Sequence, residues 1–184
     1  MPPSNRFRRQ IIVSIREIVF GLEDSLVSTL GALTGIAAGA QNTNLVILSG
    51  LTLVVVEATS MAAGSYLSSK SVVAANKATN GGKNKNARGR SSPLRAAGVM
   101  GIFYFIGGFV PLIPYFFLPI QEAYAPSISG TALALFGLGV WSAKFTQQDR
   151  LKSGMEMAGI SLGAALLGYL IGLSVSHFFG INIA

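Results

Sequence analysis

Five long apolar stretches, separated by shorter polar segments, dominate the pattern of hydrophobic and polar positions along the chain. A membrane-spanning helix needs about 20 mostly apolar residues, and each stretch is close to that length. The stretches cover residues 18–40, 45–67, 94–118, 128–145 and 153–179. The pattern predicts an all-α membrane protein whose five transmembrane helices form one domain over residues 18–179.

The first stretch has the position of a signal peptide, yet its sequence does not fit one. It is long, carries Glu23 and Asp24 in its interior, and lacks a convincing small-residue cleavage site. We therefore interpret it as a membrane span that follows a basic cytoplasmic N-terminus, residues 1–17.

The basic residues are distributed unevenly between the connecting segments. All 14 Lys and Arg residues precede the first stretch, lie between the second and third, or join the fourth and fifth. The other two loops and the tail after His177 have none. Because basic loops stay in the cytoplasm, this distribution predicts a cytoplasmic N-terminus and a C-terminus outside or in a lumen.

The longest polar segment, residues 68–93, contains the sequence GGKNKNARGR at 81–90. Such a composition is typical of a flexible basic linker, which cannot bury enough apolar surface to fold alone. We expect a cytoplasmic loop that sets the orientation of the chain. The alternative is that the loop binds anionic membrane lipid.

Composition excludes several classes of protein. Charged residues make up 11% of the chain, against about 25% in soluble domains, so we expect a membrane protein that is not an enzyme. With no Cys and a single His, disulfide scaffolds, thiolate zinc sites and thiol nucleophiles are excluded. The net charge of +7 fits the orientation bias, and we expect no nucleic acid partner.

Three carboxylates, those of Glu23, Asp24 and Glu57, lie within the first two apolar stretches. A carboxylate at membrane depth is costly unless it faces a wet cavity, a partner or an ion. Met61 lies four residues after Glu57, hence on the same helix face, and Ser65 lies one turn further. Carboxylate oxygens beside a thioether suit Fe²⁺ or Mn²⁺ better than Mg²⁺ or Ca²⁺. The alternatives are that the carboxylates only hydrogen-bond between helices and that Met61 only packs.

Glu23 and Asp24 are adjacent, so their side chains point about 100° apart on a helix. Both cannot face one narrow site, and we expect one to be a metal ligand and the other to face a neighbouring helix or a proton route. No basic residue lies at the same depth. An imported cation is therefore the simplest counter-charge.

Small residues and prolines mark further features of the helices. Gly31, Gly35 and Gly39 recur every fourth residue, which favours close helix packing, either within one chain or in a dimer. Pro111 and Pro114 each remove a backbone donor, and they either break the third helix, as in many transport paths, or simply end it.

The start of the fifth stretch repeats the pairing of carboxylate and thioether. Met155, Glu156 and Met157 are consecutive and lie at the predicted cytoplasmic end. This triplet is a candidate metal entrance, and the alternative is an ordinary charge at the membrane interface.

Several segments resemble the vacuolar iron transporter family, which includes yeast-type calcium and iron transporters and the plant nodulin-like proteins. The sequence GLEDSLVSTL at 21–30, followed by GIAAG at 35–39, is similar to the first-helix signature of the family. The sequence SMAAGSYLSSKS at 60–71 is similar to the second-helix signature. Further matches are PLIPY at 111–115 and SGMEM at 153–157. The resemblance covers almost the whole chain after Arg16.

The resemblance implies a five-helix protomer, usually a homodimer, that moves Fe²⁺ or Mn²⁺ out of the cytosol in exchange for protons. The metal is the substrate, H⁺ is the coupling ion, and no cofactor is bound permanently. By motif position, Asp24 and Met61 line the ion path. Glu57 and Glu23 are added from helix geometry and depth alone.

Two departures from the family pattern matter for function. Many members carry a cytosolic helical domain rich in Glu and Met between the second and third helices, whereas residues 72–93 here contain no Glu, Asp or Met. The nodulin-like branch also lacks that domain. Ser65 stands where the family often has a glutamate.

The sequence thus predicts a proton-coupled secondary transporter of divalent iron or manganese in a prokaryotic cell membrane or a vacuolar membrane. The alternative is a membrane interaction protein that does not transport and whose basic loop binds lipid.

Overall fold

The computed structural model describes residues 5–79 and 92–179, and these form a bundle of five α-helices. The helices are α1 (Asn5–Ala40), α2 (Thr43–Thr79), α3 (Pro93–Phe117), α4 (Ile120–Thr146) and α5 (Arg150–Phe179). The prediction of an all-α fold with five helices is confirmed.

Four of the helices, α2 to α5, are long and apolar enough to cross a membrane. The chain is therefore a multi-pass integral membrane protein, as predicted. The remaining helix, α1, is less apolar because Glu23 and Asp24 interrupt its hydrophobic sequence. The sidedness of the two termini stays a prediction.

Helix α1 lies at the centre of the bundle. It packs against each of the other four helices, and Leu26, Leu30 and Leu33 on it are almost fully buried. Because protein rather than lipid surrounds most of α1, this helix tolerates polar residues that a lipid-facing helix would not. The least apolar helix is therefore the best placed to carry a polar site.

The ends of three helices differ from the predicted ends. Helix α2 continues to Thr79, so residues 68–79 of the predicted loop are helical, and residues 80–91 lie outside the described part. Residues 68–79 include Ala, Val and Lys but no Gly or Pro. The helix therefore continues although its sequence becomes polar. Helix α1 likewise starts at Asn5 rather than at residue 18. Helix α4 starts at Ile120 rather than at residue 128, so the more polar residues 120–127 form its first turns.

The prediction that Pro111 and Pro114 break the third helix is wrong, because α3 runs through both residues to Phe117. Each proline removes only one donor from the helix. The carbonyl of Pro111 accepts a hydrogen bond from the Ser127 hydroxyl of α4 at 2.7 Å, and that of Pro114 accepts one from the Leu118 amide at 3.0 Å. The prolines therefore belong to the packed interface between α3 and α4 and the end of α3.

The three glycines of α1 pack against α5 of the same chain. A Cβ atom on Gly35 would lie 2.7 Å from the Gly168 carbonyl oxygen, and one on Gly39 would lie 3.1 Å from that of Gly172. Gly31 faces the carbonyl of Ala164 in the same way, at 3.2 Å. Of the two predicted roles, the structure shows packing within one chain.

Candidate metal site

Two hydrogen bonds fix how α1 and α2 lie side by side. A short turn at Gln41, whose φ of 50° is left-handed, makes the two helices antiparallel. The Ser28 hydroxyl of α1 donates to Glu57 of α2 at 3.1 Å. Toward the other end, the Ser65 hydroxyl of α2 donates to Glu17 of α1 at 3.1 Å. The predicted stripe of Glu57, Met61 and Ser65 thus faces α1.

This register brings Asp24 level with Met61. Asp24 lies four residues from Ser28 toward Glu17, and Met61 lies four residues from Glu57 toward Ser65, so each is one helical turn from the Ser28–Glu57 hydrogen bond. Asp24 is also near enough to Glu57 for the charges of the two carboxylates to interact. Asp24, Glu57 and Met61 are all half-buried. Three of the four predicted ligands therefore lie together at the interface of α1 and α2.

Glu57 is held by two hydroxyl groups from two other helices. Tyr104 of α3 donates a hydrogen bond to Glu57 Oε2, and Ser28 of α1 donates to the same oxygen. The two hydroxyl oxygens lie 2.8 Å apart, and Tyr104 is only 1% exposed. Glu57 therefore links α1, α2 and α3 through one carboxylate oxygen.

Glu17 is a further acidic residue of the site that sequence reasoning missed. It is only 8% exposed and lines a cavity of about 440 Å³ between α1, α2 and α3. The cavity is also lined by Arg16, Met61, Ser65, Ser68 and Met100. Glu17 lies in the predicted basic N-terminal segment, although its spacing of seven residues from Asp24 places both on one face of a helix.

Ser28 and Tyr104 were also missed, and their sequence signal is weaker. A lone Ser or Tyr in an apolar helix commonly bonds its own backbone or packs, so neither stands out without the neighbouring helices.

Glu23, the fourth predicted ligand, takes no part in the Ser28–Glu57 and Ser65–Glu17 hydrogen bonds that join α1 and α2. It is half-buried, and the charge nearest to it is that of Asp24. That one of these two carboxylates is a metal ligand while the other faces a neighbouring helix or a proton route stays a prediction.

The predicted entrance residues point in different directions. Met155 is 63% exposed and Glu156 is exposed, whereas Met157 packs against the cluster of Leu26, Leu135 and Leu138. One consecutive triplet on a helix cannot direct all its side chains to one point, and here the three separate. Only Met155 and Glu156 line a common cavity, a shallow one of about 450 Å³.

The arrangement offers a mixed set of donor atoms. Within residues 5–79 and 92–179, no three Asp, Glu or His side chains form a group that could hold a metal ion. What the interface of α1 and α2 provides is two carboxylates, a thioether and the nearby hydroxyls of Ser28 and Tyr104. Such a set suits a borderline first-row ion better than a hard ion that requires oxygen ligands alone.

Comparison with known proteins supplies a family. Residues 15–86 and 78–173 match the VIT family. An uncharacterized protein of Methanocaldococcus jannaschii is 27% identical over 170 residues, which cover 85% of this chain and 87% of that protein. Vacuolar iron transporter homolog 3 of Arabidopsis thaliana is 28% identical over 170 residues, which cover 90% of this chain and 80% of that protein.

The similarity to a protein named vacuolar iron transporter, without the word homolog, covers a smaller part of both chains. Vacuolar iron transporter 1 of Arabidopsis thaliana is 34% identical over 85 residues, which cover 46% of this chain and only 34% of that protein. The matched residues of the family nevertheless extend over most of this chain and confirm the resemblance found in its motifs. The chain belongs to the VIT family.

Proposed function

We propose that the protein is a secondary transporter that moves Fe²⁺ or Mn²⁺ out of the cytosol in exchange for protons. The observation that carries this proposal is the α1–α2 register, which brings Asp24 level with Met61 and next to Glu57. The names of the relatives, which are vacuolar iron transporters and their homologs, support metal transport.

The chemistry of the site suits transport better than permanent binding. Two carboxylates and one thioether from the chain leave several positions of a metal ion open to water, so the ion is held without being fully enclosed. Carboxylates bind protons in competition with metal. Protons from the outer compartment therefore displace the ion and reset the site.

The polar cavity gives the metal a route to this site. Glu17 supplies a carboxylate at the cavity wall, and Met61 belongs both to the cavity and to the α1–α2 interface. The cavity lies toward the end of the bundle that carries Arg16 and Lys70, the end predicted to face the cytoplasm. Cytosolic metal thus passes Glu17 before it reaches Met61 and Asp24.

The transporter acts as a homodimer whose copies meet along α1. A nearly wholly apolar groove of about 670 Å³ runs along α1 and α5, and Ser28, one helical turn from Asp24, lines it. The groove is lined by small and apolar residues, among them Ala32, Ile36, Leu167 and Ile171. A second copy seated there would cover the open side of the carboxylates, which lipid would leave poorly solvated.

Because the chain has no Cys, the dimer is directly testable. Ala32→Cys in the groove is expected to form a crosslinked dimer in membranes, whereas Gly163→Cys, which has open space around it on α5, is not. Equal crosslinking of both variants, or none of Ala32→Cys, would contradict the dimer.

Transport is tested in proteoliposomes that enclose a dye for divalent iron and manganese under an imposed proton gradient. We expect gradient-dependent uptake by the wild type and its loss in Asp24→Asn. The matched control is Glu122→Gln, an exposed carboxylate in the first turn of α4, which should transport normally. Uptake by Asp24→Asn equal to the wild type would refute the site. No uptake by folded wild type would favour the lipid-binding interaction protein.

A further inference from the structure

The two hydroxyl groups on Glu57 share one of its two carboxylate oxygens. Ser28 and Tyr104 both donate to Oε2, and the 2.8 Å contact between the two hydroxyls completes a closed triangle. Each hydroxyl has a single proton. The Tyr104 hydroxyl therefore donates its hydrogen bond to Glu57. The Ser28 hydroxyl shares its one hydrogen between Glu57 and Tyr104.

This triangle limits how Glu57 can bind a metal ion. With a hydroxyl from α1 and another from α3 against Oε2, only Oε1 is open to an ion. A metal that took both oxygens would have to displace both of these hydrogen bonds to the carboxylate. One of these comes from a Tyr that is 1% exposed and has little room to turn away.

The number of oxygens that a carboxylate offers separates large ions from small ones. Ca²⁺ takes six to eight oxygen ligands at about 2.3–2.6 Å and commonly uses a carboxylate through both oxygens. A smaller first-row ion accepts fewer ligands and tolerates a thioether in place of an oxygen. A carboxylate restricted to one oxygen therefore disfavours Ca²⁺ more than Mn²⁺ or Fe²⁺.

We propose that Ser28 and Tyr104 are positioning residues that restrict Glu57 to one metal-binding oxygen and thereby select Mn²⁺ and Fe²⁺ against Ca²⁺. The inference rests on the proposed function, since it concerns the same metal site. It adds two residues that do not touch the metal, and it assigns them the selectivity of the site.

The test compares the dissociation constants of Mn²⁺ and Ca²⁺ for purified full-length protein by titration calorimetry. In Tyr104→Phe we expect Mn²⁺ binding to weaken about 10-fold or more, as for other outer-shell partners of a metal ligand. Ca²⁺ binding should stay unchanged or tighten, because the second oxygen of Glu57 then keeps only the hydrogen bond from Ser28. The ratio of the Ca²⁺ to the Mn²⁺ dissociation constant should thus fall about 10-fold. Ser28→Ala should change the ratio in the same direction by a smaller factor.

The matched control is Tyr169→Phe, which removes a phenol hydroxyl at a distant cavity between α1, α4 and α5 and should leave the ratio unchanged. Infrared difference spectra provide a second readout, because the carboxylate bands move closer together when an ion is held through both oxygens. Ser28→Ala keeps the proposal testable if Tyr104→Phe does not fold.

The outcomes separate this inference from the proposed function. If the binding of both ions weakened by the same factor, or if neither variant changed it, the selectivity role would be overturned while the metal site remained in place. Wild-type protein that binds no Mn²⁺ would overturn both. A lower ratio in both variants, with Tyr169→Phe like the wild type, would support the inference.

Discussion

The contact between α1 and α5 gives a sharp test of the packing that holds the central helix. A Cβ atom added at Gly168 would lie 1.9 Å from the carbonyl oxygen of Gly31 and 2.8 Å from its carbonyl carbon. Both atoms belong to the backbone, so no side chain can turn aside. Gly168→Ala therefore requires α1 and α5 to separate by about 1.5 Å to reach an ordinary contact of 3.4 Å.

The cost of this change follows from two opposing terms. Overpacking of a close interface costs about 1–3 kcal/mol, and here the rigid backbone favours the upper end of that range. The higher helix propensity of Ala returns up to about 1 kcal/mol. We expect Gly168→Ala to lower the free energy of unfolding by about 1–2 kcal/mol. Gly163→Ala on the same helix meets nothing within 4 Å and is expected to be neutral or slightly stabilising.

The assay is reversible unfolding of the purified protein in mixed detergent micelles, followed by circular dichroism. Both variants exchange the same residues on the same helix, so their difference reports the contact with Gly31 and not helix propensity. Equal unfolding free energies for Gly168→Ala and Gly163→Ala would refute the close approach of α1 and α5.

Three further predictions concern the site and the prolines. Met61→Ala should weaken Fe²⁺ binding about 10-fold and Mg²⁺ binding far less, because only the softer ion gains from a thioether; calorimetric titration with both ions checks this, and equal losses would contradict it. Glu17→Gln should raise severalfold the external Mn²⁺ concentration needed for half-maximal uptake into proteoliposomes, while maximal uptake changes less. Initial uptake rates would measure this, and an unchanged concentration dependence would exclude Glu17 from the route. Ser127→Ala should lower the free energy of unfolding by about 0.5–1.5 kcal/mol, since it removes the hydrogen bond that joins α4 to the Pro111 carbonyl of α3; Ser129→Ala, an exposed serine that bonds its own helix, is the control, and equal stabilities would refute that role.

The number of helices could be predicted because apolar length is a strong signal, but their ends could not. A hydropathy pattern marks where lipid ends, whereas a helix ends where its backbone loses hydrogen bonds. The polar residues 68–79 keep those bonds and stay helical as part of α2. Pro111 and Pro114 do not break α3 for the same reason, since each removes a single backbone donor and the helix around them keeps its other hydrogen bonds.

The candidate site likewise has residues that could be predicted from the sequence and residues that could not. Asp24 and Glu57 could be singled out because charge at membrane depth is unusual, and Met61 because its spacing from Glu57 along one helix is readable and it matches a family motif. Their partners could not be found, because Ser28, Tyr104 and Glu17 gain their roles only from a register between helices. Spacing within a helix is local, whereas the register of α1 against α2 depends on the turn at Gln41 and on packing around both.

The serine at position 65 illustrates how a departure from the family pattern fits its surroundings. Its hydroxyl satisfies one oxygen of Glu17, a carboxylate that is 8% exposed. A glutamate at 65 would instead place a second negative charge against the buried Glu17, and the single charge of Arg16 would not balance the pair. With serine, the cavity carries the single negative charge of Glu17 beside the positive charge of Arg16. The charge of Glu17 is thus balanced without a bound ion, and under the proposed function the carboxylates of Asp24 and Glu57 are left to bind the metal strongly.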